Sequence, residues 1–158
     1  MNATELTTSE WLGSKGYCVM SSVKFGRREA DLLAVRPTDM ARLHVEVSVS
    51  SRPFGSNRAT EEYEKDVRDF IEKKFEALKD QVQGILGGDY QRWLVIGKMA
   101  GGQCEEDIWI ARMRDAGVTV HRFEDVVRDY VQSFTVRPTG LTGDLLDVLN
   151  QLGLLKIV

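Results

Sequence analysis

The stretch "GRREADLLAV", residues 26–35, decides how this sequence is interpreted. Its apolar residues are typical of a half-buried β-strand, yet Glu29 and Asp31 lie two residues apart within it. Because side chains alternate along a strand, these two carboxylates are predicted to share one face. A strand of purely structural role has no need of such a pair, so the chemistry of this face becomes the first question.

A second stretch, "LHVEVSVS" (43–50), alternates strictly and predicts a neighbouring strand with His44, Glu46 and Ser48 on one face. If the two strands pair, three carboxylates converge, at a cost of several kcal/mol unless a cation or donors compensate. Convergent oxygens are what Mg²⁺ or Mn²⁺ requires. The alternative is a solvated polar face, as in many antiparallel sheets. His44 is either a proton carrier near this site or a half-exposed strand residue.

Length and composition limit the protein class. The 158 residues, 42% hydrophobic and 28% charged, predict one globular domain with a real core. A formal charge of -3 gives no bulk basic surface, so any nucleic-acid contact must rest on a local patch. Two distant cysteines, no signal-peptide pattern and no apolar run of membrane length favour a cytoplasmic protein without membrane contact.

The order of elements predicts a mixed α/β sheet flanked by helices, in the order α-β-β-β-α-β-α-β-α. A domain is predicted over 1–136, and a C-terminal helical extension over 137–158 packs on it or on a partner. Leucines in 141–158 suit a homodimer or protein contact as well as a core-capping helix. The predicted helices are 4–15, 59–85, 104–117 and 124–134, and the predicted strands are 17–25, 28–36, 43–50, 90–99 and 118–123.

Four motifs in this order resemble the PD-(D/E)xK superfamily, the restriction-endonuclease-like nucleases, and especially small bacterial, Holliday-junction-resolvase-like members. The resemblance covers roughly residues 4–80. The matching features are Glu5 with Trp11 and Leu12 in the first helix, Gly16 with Tyr17, "READLLAV", and "LHVEVSVS" followed by the helix from Ala59. It implies a restriction-endonuclease-like fold, a Mg²⁺ or Mn²⁺ cofactor and DNA as the partner.

The resemblance also implies roles for individual residues. Asp31 matches the metal-binding Asp, and Glu46 matches the first residue of the (D/E)xK pair. The Val47 carbonyl and Glu5, the helix acid of resolvase-like members, would complete the metal site. Glu29 would line the same face beside the two catalytic acids. In such nucleases the metal activates water and stabilises phosphate charge.

One position departs from the motif: the family's lysine is replaced by Ser48. A serine hydroxyl carries no positive charge, so it does not replace a lysine beside phosphate. In some members the cation comes from another element, and here Lys65 is the first candidate, Arg58 the second and Lys24 the third. The loop "SRPFGSNR" (51–58) also brings Arg52 and Arg58 as candidate contacts to a phosphate backbone.

Three functions follow. The first is a metal-dependent nuclease that hydrolyses phosphodiester bonds in DNA, including structured DNA. The second is a catalytically inactive nuclease-fold protein that binds nucleic acid or protein. The third is a small immunity or adaptor protein whose strand acids face a basic partner. The serine at position 48 leaves the first two open.

Overall fold

The computed structural model describes residues 1–49, 60–97 and 103–133, with the side chains of all of these except 60–63 and 103–105. The predicted phosphate contacts Arg52 and Arg58 lie outside the described residues, as does the C-terminal extension over 137–158. Within the described ranges, no helix has the length and apolar character needed to cross a bilayer.

A five-stranded mixed sheet in the order β1-β2-β3-β4-β5 forms the centre of the protein. The first three strands pair antiparallel as successive hairpins, and β3, β4 and β5 pair parallel through helical crossovers. This confirms the predicted α/β class and element order, with helices flanking the sheet. The strands are β1 (Cys18–Phe25), β2 (Arg28–Arg36), β3 (Ala41–Ser48), β4 (Gln91–Ile96) and β5 (Val118–Arg122).

Helices cover both faces of the sheet. On one face, Trp11 and Leu12 of α1 and Val126 and Val127 of α5 pack with Val45 of β3. Apolar residues of α2, α3 and α4 form two clusters with the strands on the other face. The helices are α1 (Ala3–Ser14), α2 (Thr60–Lys74), α3 (Lys79–Leu86), α4 (Gln103–Asp115) and α5 (Phe123–Gln132).

The single helix predicted over 59–85 is wrong, because a 3₁₀ turn at Glu76–Leu78 divides it into α2 and α3. One straight helix of that length would be about 40 Å long, while an eight-residue strand such as β3 spans only about 26 Å. The break keeps both helices against the sheet and buries Phe75 and Leu78 almost completely. It also leaves Lys74 as the last residue of α2.

The β1–β2 ladder is interrupted at Asp31. Strand pairs flank this point on both sides, but the facing residues Ser22 and Asp31 form no pair, and Ser22 adopts a φ of 53°. Ala30 and Leu32 are two residues apart, so a regular strand would place them on the same face. Leu32 nevertheless packs in the cluster of α1 and α5, whereas Ala30 packs in the cluster of α3. The regular alternation that placed Glu29 and Asp31 on one face is therefore wrong at this point.

Candidate functional site

The two predicted acids meet where β2 and β3 separate. The antiparallel ladder between these strands ends at the pair Leu32 and Val45, and Asp31 and Glu46 are the next residues along each strand. The Asp31 N–H lies 3.4 Å from Oε1 of Glu46, and the Val47 N–H donates a 2.8 Å hydrogen bond to Oδ2 of Asp31. Side-chain carboxylates thus replace ladder acceptors, which fixes both acids beside the same opening in the sheet.

Glu46 is a buried carboxylate with a separate partner on each oxygen. It is 1% exposed, and Nε2 of His44 lies 2.9 Å from its Oε1. Nζ of Lys74 lies 2.8 Å from Oε2. Among the described residues Oε2 accepts no well-aligned hydrogen bond, so the lysine contact is an ion pair of imperfect hydrogen-bond geometry. A buried carboxylate needs such compensation, because desolvation strongly disfavours an unpaired charge.

Lys74 is the functional candidate that the sequence reasoning missed. Burial lowers its pKa, but the contact with Glu46 and the charges of Asp31 and Glu29 outweigh burial and leave the pKa raised. The lysine therefore remains protonated at neutral pH. A sequence signal for it exists, since Lys74 follows the apolar residues Val67 and Ile71 at seven- and three-residue steps. A lysine on the apolar face of a helix is unusual, and this position distinguishes Lys74 from the other lysines of α2.

The position of Lys65 does not support its predicted catalytic role. Nine residues separate it from Lys74 in α2, which corresponds to half a turn around the helix and about 14 Å along it. Lys65 therefore lies on the opposite side of α2, and its side chain is exposed. Lys24 is exposed and lies on β1 opposite Glu29.

Asp31 is half-buried and has an unusual acidity. Burial first, and then the charges of Glu46 and Glu5, raise its pKa from 3.8 to about 6, against the opposing effects of the Val47 N–H and Lys74. The charged form is thus held in a site that disfavours it. A cation bound beside this carboxylate would stabilise its charged form.

His44 is wholly buried, which corrects the expectation of a half-exposed strand residue. Its ring packs edge to face against Phe75 with centroids 4.9 Å apart, and Tyr90 lies 6.0 Å away. Nδ1 has no hydrogen-bond partner among the described residues. A buried N–H without an acceptor is costly, so this environment favours the tautomer in which Nε2 carries the proton and donates to Glu46.

The remaining predicted residues also have structural partners. Glu5 caps α1: its two carboxylate oxygens accept from the backbone and side-chain nitrogens of Asn2. Its charge still reaches Asp31, whose pKa it raises. The Val47 N–H is engaged with Asp31, and the role of the Val47 carbonyl as a ligand stays a prediction. Glu29 is half-buried and acts on Lys74 through its charge.

Ser22 is a further feature near Asp31, and no sequence pattern indicated it. Its φ of 53° is rare for a residue with a side chain, and it faces Asp31 across the hairpin. Its hydroxyl is buried and has no hydrogen-bond partner among the described residues. Backbone strain of this kind concentrates at functional sites.

The carboxylates suit a hard divalent cation, although they do not form a complete cage. The described residues contain no cluster of three or more His, Cys, Asp or Glu side chains arranged to hold a metal. Mg²⁺ commonly binds through one or two carboxylates and keeps several waters, which matches Asp31 and Glu46. Oε2 of Glu46 is buried and accepts no well-aligned hydrogen bond among the described residues, but Nζ of Lys74 lies 2.8 Å from it, so an ion at this oxygen would have to share it with the lysine or displace the lysine.

Comparisons with known proteins bear on the fold alone. No family model matches the chain, and no curated protein matches its sequence significantly. A crystal structure of a protein of unknown function, AF1548, is similar over 97% of this chain and 79% of its own, at 13% identity and a TM-score of 0.50. SfsA of Pyrococcus furiosus in complex with Ca²⁺ matches over 74% of this chain and 52% of its own, at 11% identity and a TM-score of 0.34.

Proposed function

We propose that this protein is a metal-dependent nuclease of the PD-(D/E)xK type that hydrolyses phosphodiester bonds in DNA. Asp31 and Glu46 would hold Mg²⁺ or Mn²⁺, and Lys74 would supply the positive charge that the motif places at position 48. The ion pair of 2.8 Å between Lys74 and Glu46, beside Asp31, carries this proposal. It supports the proposal because it provides a lysine beside the two acids, whereas the motif position itself holds Ser48.

The two acids and Lys74 have different roles in the proposed reaction. When bound, the metal lowers the pKa of a water and offsets charge on the phosphate oxygens. Asp31 and Glu46 bind that ion in their ionised forms. Lys74, protonated because its pKa is raised, cannot take a proton from water. Its role is instead to bind and stabilise a phosphate oxygen, for which its 41% exposed side chain is accessible.

One observation favours the second candidate, a catalytically inactive nuclease-fold protein. Both oxygens of Glu46 already have protein partners, His44 and Lys74, and a metal must share or displace one of them. A carboxylate neutralised in this way is also what a purely structural site would contain. In that case the protein binds nucleic acid or another protein without cleaving it.

Cleavage assays decide between the two candidates. Labelled linear, supercoiled and four-way-junction DNA is incubated with the protein in Mg²⁺ or Mn²⁺, alongside Asp31→Ala and Glu46→Ala. We expect cleavage that depends on the metal and is lost in both variants. Absence of cleavage in either metal, with no Mn²⁺ binding by calorimetry, would support the inactive protein. Cleavage that persists in both variants would mean that these acids are not the site.

Lys74 has a close control in the same helix. Lys74→Met keeps a long flexible side chain without charge, while Lys73→Met and Lys65→Met remove neighbouring exposed lysines of α2. Loss of one electrostatic group at a reaction centre typically lowers the rate by about 10²–10³-fold. We expect a loss of this size for Lys74→Met alone. Equal effects in all three variants would indicate general electrostatic binding of DNA rather than a defined role.

A further inference from the structure

We propose that His44 is a positioning residue, which orients Glu46 so that one carboxylate oxygen remains directed toward Lys74 and the metal. The metal part of this inference rests on the proposed function. The orientation of Glu46 by His44 does not depend on the proposed function, because it rests on a hydrogen bond between two buried side chains on one face of β3.

The first step is the fixed orientation of the imidazole. His44 is 0% exposed, and Phe75 packs edge to face against its ring. Leu33 is its partner on the neighbouring strand and is also fully buried. With its ring held on these sides, the histidine has little rotational freedom. Its Nε2 is therefore a donor in a fixed place.

The second step is what this donor does to Glu46. Nε2 lies 2.9 Å from Oε1, so the carboxylate is held by that oxygen. A planar carboxylate held at Oε1 has Oε2 in a defined direction, and this is the oxygen that Lys74 contacts at 2.8 Å. Residues that orient a metal-binding carboxylate through hydrogen bonds commonly alter metal affinity or activity by 10- to 100-fold when mutated.

The third step joins the histidine to the lysine. Phe75, which packs on the His44 ring, directly follows Lys74 in the chain and lies at the break between α2 and the 3₁₀ turn. The backbone N–H of Phe75 still donates to the Ile71 carbonyl at 2.9 Å, so the end of α2 is well defined. Phe75 thus contacts the His44 ring at the end of α2, next to the residue that reaches Glu46.

Two substitutions separate positioning from packing. His44→Gln keeps an N–H donor at a similar distance from the backbone, while His44→Leu keeps an apolar side chain and removes the donor. Val82→Ala serves as a control, since Val82 is fully buried in the α3 cluster and removing its methyl groups destabilises the protein without touching Glu46. Mn²⁺ affinity is measured by calorimetry, with folding monitored by circular dichroism.

We expect His44→Leu to weaken Mn²⁺ binding by at least 10-fold, His44→Gln by less than about 3-fold, and Val82→Ala not at all. A His44→Leu protein that folds and binds Mn²⁺ as tightly as the wild type would overturn the inference. So would a glutamine variant as weak as the leucine variant. If the wild type itself binds no Mn²⁺, the proposed function fails.

A metal-free measurement keeps the inference testable in that case, or if His44→Leu does not fold. The ring N–H of His44 is observed by proton–nitrogen correlation NMR in the free protein. A hydrogen bond to a carboxylate shifts this proton downfield, and we expect it to move upfield in Glu46→Gln, where the acceptor is a neutral amide. A resonance that is unchanged in Glu46→Gln would show that His44 does not hold Glu46.

Discussion

Replacing Asp31 with asparagine should stabilise the metal-free protein at neutral pH. The carboxyl group has a pKa of about 6 in the folded protein, compared with 3.8 ordinarily, mainly because of burial and the charge of Glu46. A folded pKa above the unfolded one means that the proton favours the native state. The associated stability is complete below about pH 4 and is lost as the pH rises through 6.

The size of the effect follows from that difference. A gap of about two between the two pKa values corresponds to roughly 3 kcal/mol at pH values well above 6. Since Asp31 is only half-buried, screening by solvent reduces this to about 1–2 kcal/mol. Asparagine keeps an oxygen that can accept from the Val47 N–H, so little else changes at this position. The gain should shrink to roughly 0.5 kcal/mol or less near pH 4.

Urea unfolding of the wild type and Asp31→Asn at several pH values between 4 and 8 measures this directly, without metal and with EDTA present. Asp39→Asn is a control of opposite sign, because the hydrogen bond from Arg36 lowers the pKa of Asp39 to about 2. That variant should be less stable than the wild type by a nearly constant amount across this pH range, because its stability difference is lost only as the pH falls from about 4 toward 2. An Asp31→Asn protein no more stable than the wild type at pH 7, or with a gain independent of pH, would refute the reasoning.

Three further outcomes follow from the same site. Mn²⁺ affinity measured by calorimetry should be level above pH 7 and fall about tenfold per pH unit below 6, because Asp31 must lose its proton to bind; constant affinity from pH 5 to 8 would exclude Asp31 as a ligand. In Glu46→Gln, NMR titration should show the pKa of Asp31 below 6, since the charge of Glu46 raises it; an unchanged value would mean that the two groups do not interact. Ser22→Gly should be tolerated, whereas Ser22→Val should lose about 1–2 kcal/mol in urea unfolding, because a β-branched residue fits poorly at a φ of 53°; equal stability of both would rule out strain there.

Local patterns were enough to predict most of the fold. The strict alternation around Glu46 and the crossovers after it gave a sheet with antiparallel and parallel parts, as observed. The break after Lys74 has no glycine or proline to announce it. Phe75 and Leu78, which lie at this break, are almost completely buried, so we attribute the break to packing. The positive φ of Ser22 could not be predicted either, because nothing in the local sequence requires it at a serine.

The sequence predicted the two acids of the candidate site, Asp31 and Glu46, but it did not predict that Lys74 is the lysine beside them. Asp31 and Glu46 could be paired because neighbouring strands bring them together, and the structure places them within a single hydrogen-bond network. Lys74 lies 28 positions beyond Glu46 in the sequence and reaches it only through the path of α2. The burial of His44 depends on Phe75, from a different element, so strand periodicity alone could not reveal it.

The most direct test of the proposed site is a crystal structure of the protein grown with Mn²⁺, with anomalous diffraction used to locate the ion. We expect one strong anomalous peak between Asp31 and Glu46, within about 2.0–2.3 Å of an oxygen from each carboxylate. The same crystals of Asp31→Asn should lack that peak. A wild-type map at saturating Mn²⁺ without density at this position, or with the Lys74 ion pair to Glu46 intact and the ion elsewhere, would contradict the metal-dependent site.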